Sequence, residues 1–75
     1  MSKIIGAAIY SLSNENEIAY EAMYNDGTRV RAILFDGDQT RKEYFRNYEW
    51  VPSVADKNYQ HEKLIDEIEQ FTRYQ

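Results

Sequence analysis

Apolar and polar positions alternate through most of the first half of the chain. Lys3 to Leu12 is rich in Ile, Ala and Tyr, with apolar side chains on both faces, which predicts a strand inside a sheet. Ile18 to Tyr24 and Thr28 to Phe35 read as the two strands of a hairpin joined at Asn25-Asp26-Gly27. A two-residue Asp-Gly loop would place Arg29 and Arg31 on the face of Ile18, Tyr20 and Tyr24. A three-residue loop, with Gly27 left-handed, shifts the register by one. Ile18, Tyr20, Ala22 and Tyr24 then share a face with Val30, Ala32 and Leu34, while Glu21 lies opposite Arg31 and Met23 opposite Arg29. The second register separates apolar from charged side chains and offers a Glu21–Arg31 ion pair across the strands, so it is the predicted one. Ile33 and Phe35 join the other face near Ala19, and that face calls for a cover, either a short helix or a partner.

Residues 40–50 read two ways. Thr40-Arg41-Lys42-Glu43 matches a capping box. On a helix Tyr44, Phe45 and Tyr48 would form one stripe, with Lys42 and Arg46 on the opposite side. As a strand, Tyr44, Tyr48 and Trp50 would share a face with Arg46. The start signal favours the helix, and Pro52 ends the element either way. Ser53-Val54-Ala55-Asp56 then opens a second, longer periodic segment to about Tyr74. At ~100° per residue, Val54, His61, Leu64, Ile65, Ile68, Phe71 and Thr72 form one stripe, with Glu62, Asp66, Glu69 and Arg73 opposite. About six turns, ~30 Å, are expected. The predicted fold is α+β in two layers: an antiparallel sheet of three strands, or four if residues 40–50 are extended. The C-terminal amphipathic helix packs on it, with a short helix before.

Length and composition narrow what such a domain can do. A chain of 75 residues forms one domain, residues 1–75, and buries only ~60–65% of its unfolded surface. With no cysteine and one histidine, disulfides, thiolate zinc and histidine metal sites are excluded. No cofactor is expected. The apolar run from Ile4 to Tyr10 is far below the ~20 residues of a membrane span and lacks the cleavage pattern of a signal peptide, so a cytoplasmic location is expected. The net charge of −4 argues against direct binding to nucleic-acid phosphates. The charge is unevenly spread: residues 27–48 carry five bases and three acids, residues 49–75 six acids and three bases.

Several strings suggest chemistry and fail on their requirements. Asp36-Gly37-Asp38-Gln39-Thr40 after an apolar strand resembles the nucleophile motif of haloacid-dehalogenase-type phosphatases. That chemistry also needs a parallel sheet, a downstream lysine and a further acidic pair on a longer chain; a turn with Thr40 capping a helix is the simpler reading. As a calcium loop the segment puts Arg41 where a glycine belongs and Asn47 where a glutamate belongs. His61 lies on the apolar side of the long helix without a nucleophile beside it and reads as a packed structural side chain. No enzyme activity is expected.

Two surfaces remain. Arg29, Arg31, Arg41, Lys42 and Arg46 with Tyr44, Tyr48 and Trp50 could form a basic, aromatic patch for single-stranded nucleic acid; in an acidic protein this is the alternative. Glu62, Asp66 and Glu69 form a carboxylate row that can imitate nucleic-acid phosphates for a basic partner. Tyr59, large and stiff with a polar tip, suits protein recognition. These four are the predicted partner-facing residues.

The run Ile18-Ala19-Tyr20-Glu21-Ala22-Met23-Tyr24-Asn25-Asp26-Gly27-Thr28-Arg29-Val30-Arg31-Ala32, then Phe35-Asp36, an aromatic short helix and an amphipathic terminal helix, resembles small phage-encoded anti-CRISPR and anti-defence proteins in size and element order. The resemblance implies a stoichiometric inhibitor occupying a host nucleoprotein surface. The expectation is thus a non-enzymatic protein-binding protein, with a homodimer left open by the uncovered sheet face.

Overall fold

In the computed structural model, which describes residues 2–12, 16–54 and 57–74, the period-two pattern becomes five strands. They are β1 (Ile4–Ser11), β2 (Glu17–Tyr24), β3 (Arg29–Phe35), β4 (Gln39–Arg46) and β5 (Glu49–Ser53), followed by a helix, α1 (Asn58–Arg73). All neighbours are antiparallel and follow chain order. The fold is α+β, with five strands rather than three or four. β1 is the outermost strand, not an inner one: its apolar residues on both faces include Ile5 and Ile9, 51% and 45% exposed.

The β2–β3 hairpin adopts the three-residue register. Glu21 pairs with Arg31 and Met23 with Arg29. Gly27 has φ 91°, its N–H donates to the Tyr24 carbonyl at 3.0 Å, and the Tyr24 N–H donates to the Thr28 carbonyl at 2.8 Å. A side chain at Gly27 would meet no neighbour, so the glycine is there for its backbone conformation alone. The Asp26 carboxylate accepts the Thr28 N–H at 2.9 Å and the Ser2 hydroxyl at 3.1 Å. The bond from the Thr28 amide, above all, holds its pKa below the usual carboxylate value.

Residues 40–50 are not a helix. They supply most of β4 and the start of β5, joined by Asn47-Tyr48. Thr40, instead of capping, sits opposite Leu34 of β3. The reason is tertiary. A helix here would leave the outer edge of the buried strand β3 without a hydrogen-bonding partner, an expense far larger than one capping box returns. Pro52 does not end the element either: it lies within β5, opposite Glu43. Counted from the closing pair Arg46–Glu49, its nitrogen points away from β4, where no ladder bond is lost.

α1 begins later than its periodicity suggests. Ser53 is the last residue of β5 and Val54 is 96% exposed; Ala55 and Asp56 lie outside the described residues. Lys57 is the N-cap, and its ammonium can accept no bond. The Gln60 side chain instead accepts the Lys57 backbone N–H at 2.6 Å. The 16 residues span ~24 Å and cross the sheet from β4 to β1. Leu64, Ile65 and Ile68 bury against Ala22, Val30 and Ala32, with Ile4, Ala7, Tyr20, Tyr24 and Tyr44 around them. Alanines in the middle of the sheet let the helix approach closely, and larger side chains fill the margins. No helix among the described residues is long and apolar enough to cross a membrane.

Asn47 and Tyr48 both have positive φ, 53° and 65°, as a two-residue hairpin turn of primed type requires. Tyrosine is strained there, and its side chain is 96% exposed, so nothing compensates. Tyr48→Gly is expected to stabilise the protein by about 1 kcal/mol, read as a higher urea midpoint at unchanged slope.

Candidate functional site

The two faces of the sheet have opposite characters. On the face away from α1, alternate residues of β2, β3 and β4 carry matched charges. Arg29 donates to Glu21 through Nε and Nη2, at 3.2 and 2.9 Å. The Tyr10 hydroxyl donates to the other Glu21 oxygen at 2.8 Å and accepts from Arg31 at 3.2 Å. Arg31 pairs with Glu43 at 2.7 Å, Glu43 faces Arg41 at 3.7 Å, and Arg41 pairs with Glu17 at 2.7 Å. The result is one connected ribbon, Arg29–Glu21–Tyr10–Arg31–Glu43–Arg41–Glu17. The Glu21–Arg31 neighbours predicted to pair are adjacent in register, but each takes another partner: the strand twist favours the diagonal Arg29 for Glu21, and β4 brings Glu43 to Arg31.

Aromatic rings carry the arginines. Arg29 lies 4.5 Å from the Phe45 ring centre and Arg31 4.3 Å from that of Trp50. Arg41 lies 5.3 Å from Phe35, and Phe45 meets Trp50 edge-on at 5.2 Å. Arginine stems and rings together cover Ala19 and Ile33, both wholly buried on a face over which no second layer lies among the described residues. The cover expected over this face is therefore built from its own side chains. Burial opposes the charge of Arg31, but its bonds to Tyr10 and Glu43 outweigh that, and the guanidinium holds its proton more firmly than usual.

The predicted basic patch is divided by this arrangement. Arg29, Arg31, Arg41 and Trp50 lie in the ribbon face. Lys42 and Tyr44 point to the helix side, by strand alternation, and Tyr48 is at a turn. The three ribbon arginines are already matched by Glu17, Glu21 and Glu43.

The helix side holds the carboxylate row. Because α1 crosses the sheet diagonally, one corner stays uncovered, leaving Ile9 and Ile18 45% and 36% exposed. Beside that corner runs an open groove of about 370 Å³. Glu62, Asp66 and Glu69 form its helical wall, Asp38 of the β3–β4 turn faces them, and Tyr20, Leu34 and Ile65 contribute apolar surface. No basic residue lines it, and none of its four carboxylates is ion-paired among the described residues. Burial and the Glu69 charge raise the Tyr20 pKa. Tyr59 is 69% exposed but belongs to the other flank of α1, in a groove with Lys42, Lys63 and Glu67. The structure thus brings three of the four predicted residues together, adds Asp38 and separates Tyr59. A helical wheel opposes the buried stripe to an outer face; a helix lying on a sheet presents two flanks, and only the sheet decides what each flank meets.

Asp36, Gly37 and Asp38 form a turn, with φ 50° and 87° at the first two. No group among the described residues could hold a metal ion. His61 is 4% exposed; its Nδ1 lies 3.0 Å from the Thr40 hydroxyl and its Nε2 is buried without a hydrogen-bond partner among the described residues. Comparison with protein-family models, with curated proteins and with solved structures finds no match.

Glu43→Ala strands Arg31, whose side chain is 13% exposed, and is expected to cost about 3 kcal/mol, whereas Arg31→Met with Glu43→Leu should recover most of the loss; urea denaturation measures both. Burial also raises the pKa of Tyr10, Tyr20 and Tyr24. Unfolded tyrosines ionise near pH ~10 while the folded ones keep their protons, so above that pH the unfolded state binds fewer protons. Stability contributed by these phenols is present below pH ~10 and lost as pH rises through the folded values. Denaturation midpoints measured up to about pH 11 should fall, and Tyr10→Phe should lessen the fall.

Proposed function

We infer that the protein acts by binding another protein, without catalysis, through the groove between α1 and the β3–β4 turn. The observation that carries this is the pairing of an apolar floor with four unmatched carboxylates. The ribbon charges are matched to one another; Glu62, Asp66, Glu69 and Asp38 have no ion-pair partner among the described residues. Such a surface fits a basic, partly apolar partner, since long-range attraction speeds encounter and apolar contact holds the complex. A row of carboxylates at helical spacing also suits a protein surface that ordinarily grips nucleic-acid phosphates. The reading is therefore a small inhibitor of a nucleic-acid-handling complex, of the kind phage direct against host defence.

Glu62→Lys, Asp66→Lys and Glu69→Lys combined are expected to abolish capture of a basic amphipathic peptide while circular dichroism stays unchanged, and added salt should weaken capture by the native protein. NMR shifts on titration should gather at Tyr20, Leu34, Asp38 and Ile65. Undiminished capture by the triple variant, or shifts elsewhere, would remove the groove from consideration. If the native protein instead retards single-stranded nucleic acid in a gel, and loses this with salt, the arginine face is the binding surface.

A further inference from the structure

The two edges of the sheet are treated differently, and the difference points to a second interaction surface. A free edge strand offers unpaired N–H and C=O groups to any other strand, and monomeric proteins blunt such edges with shortness, charge or proline. β5 has these devices: it is five residues long and carries Glu49 and Pro52. β1 is eight residues long and has neither charge nor proline from Ile4 to Ser11. Its one irregularity, a bulge between Ile4 and Gly6, is confined to one end and leaves Ala7 to Ser11 regular.

We propose that β1 pairs antiparallel with β1 of a second copy about a two-fold axis at Ile9, so that one sheet runs through both molecules. The ladder fixes this register. The Leu12 N–H donates to the Glu17 carbonyl at 3.1 Å, so the bonded pairs with β2 alternate from there. Ala7, Ile9 and Ser11 fall at the wide pairs, opposite Ala22, Tyr20 and Ile18, with their own N–H and C=O directed outward. An axis at Ile9 sets Ile9 against its copy and Ala7 against the copy's Ser11, which matches every one of those outward groups.

The side chains agree. Ile9 is 45% exposed on the corner that α1 leaves bare, and it would cover its own copy. On the ribbon face Tyr10 would lie across the copy's Ala8, large against small. About a two-fold axis only the residue on the axis meets its own copy, and a charge there would oppose itself; β1 places Ile9 on the axis and carries no charge to either side of it. That neutrality is why the occupant is a second copy rather than a charged foreign strand. The carboxylate groove plays no part, so the two proposals stand or fall separately.

Sedimentation equilibrium combined with amide hydrogen exchange tests this on the native protein. The expected result is a dimer at high micromolar concentration, with Ala7, Ile9 and Ser11 amides exchanging more slowly as concentration rises while other edge amides do not change. Ile9→Lys should weaken association at least about tenfold with unchanged circular dichroism. A monomer up to about 1 mM would overturn the proposal, as would a dimer whose Ala7, Ile9 and Ser11 amides exchange freely. Should Ile9→Lys fail to fold, the concentration dependence of exchange in the native chain decides alone.

Discussion

The ribbon of glutamates and arginines on the free face of the sheet lets a single helix suffice for a five-stranded sheet. A sheet buries one face against α1 and must do something with the other. Larger folds add a second layer; this chain lays guanidinium planes over Phe35, Phe45 and Trp50 and ties them to carboxylates. The stems of the arginines are apolar and their heads are weakly hydrated, so they can seal Ile33 and Ala19 without exposing a greasy surface. The ion pairs fix the planes in place, and the rings beneath make the fixed geometry favourable. Charge here does packing work, and its full pairing makes that face poor in electrostatic handles for a partner.

Unmatched charge is then displaced to the other side. The helix covers the sheet only along a diagonal, because 16 residues reach from β4 to β1 and no further. The flank of α1 beside the uncovered corner holds Glu62, Asp66 and Glu69, none of them ion-paired among the described residues. The same geometry explains why β1 is exposed on its edge and, at Ile9, on its face: it is the strand the helix reaches last and leaves half bare.

Much of the sheet was legible in the residues. The β2–β3 register followed from segregating Val30, Ala32 and Leu34 from Arg29 and Arg31, a criterion that holds wherever one face is buried. Residues 40–50 were not legible by the same route. Tyr44 and Phe45 satisfy a helical stripe and a strand equally well, and Thr40 to Glu43 mimics a helix start. What distinguishes the two is the vacancy beside β3, a non-local fact that a local signal does not contain. Once β4 is a strand, Arg41 and Glu43 fall on the same face as Arg29, Arg31, Glu17 and Glu21, and the ribbon can be read off the sequence at period two. The site was legible to a similar degree. The spacing of Glu62, Asp66 and Glu69 placed them together, whereas Asp38 joined them through a turn whose position depends on β4, and Tyr59 left them because flank, unlike face, is set by what lies below.

So small a chain, with no cysteine, must hold together without a disulfide. Its apolar core is modest, with alanine at Ala22 and Ala32 where larger domains place bulkier residues. The ribbon supplies what the core lacks, through groups that are stabilising only while every partner is present. Such a network is unforgiving: loss of one carboxylate strands an arginine half-buried on a ring. It also restricts where the surface can vary. The ribbon face must keep its alternation, whereas Glu62, Asp66, Glu69 and Asp38 take no part in it, and the outer edge of β1 adds unpaired backbone groups to that side of the molecule.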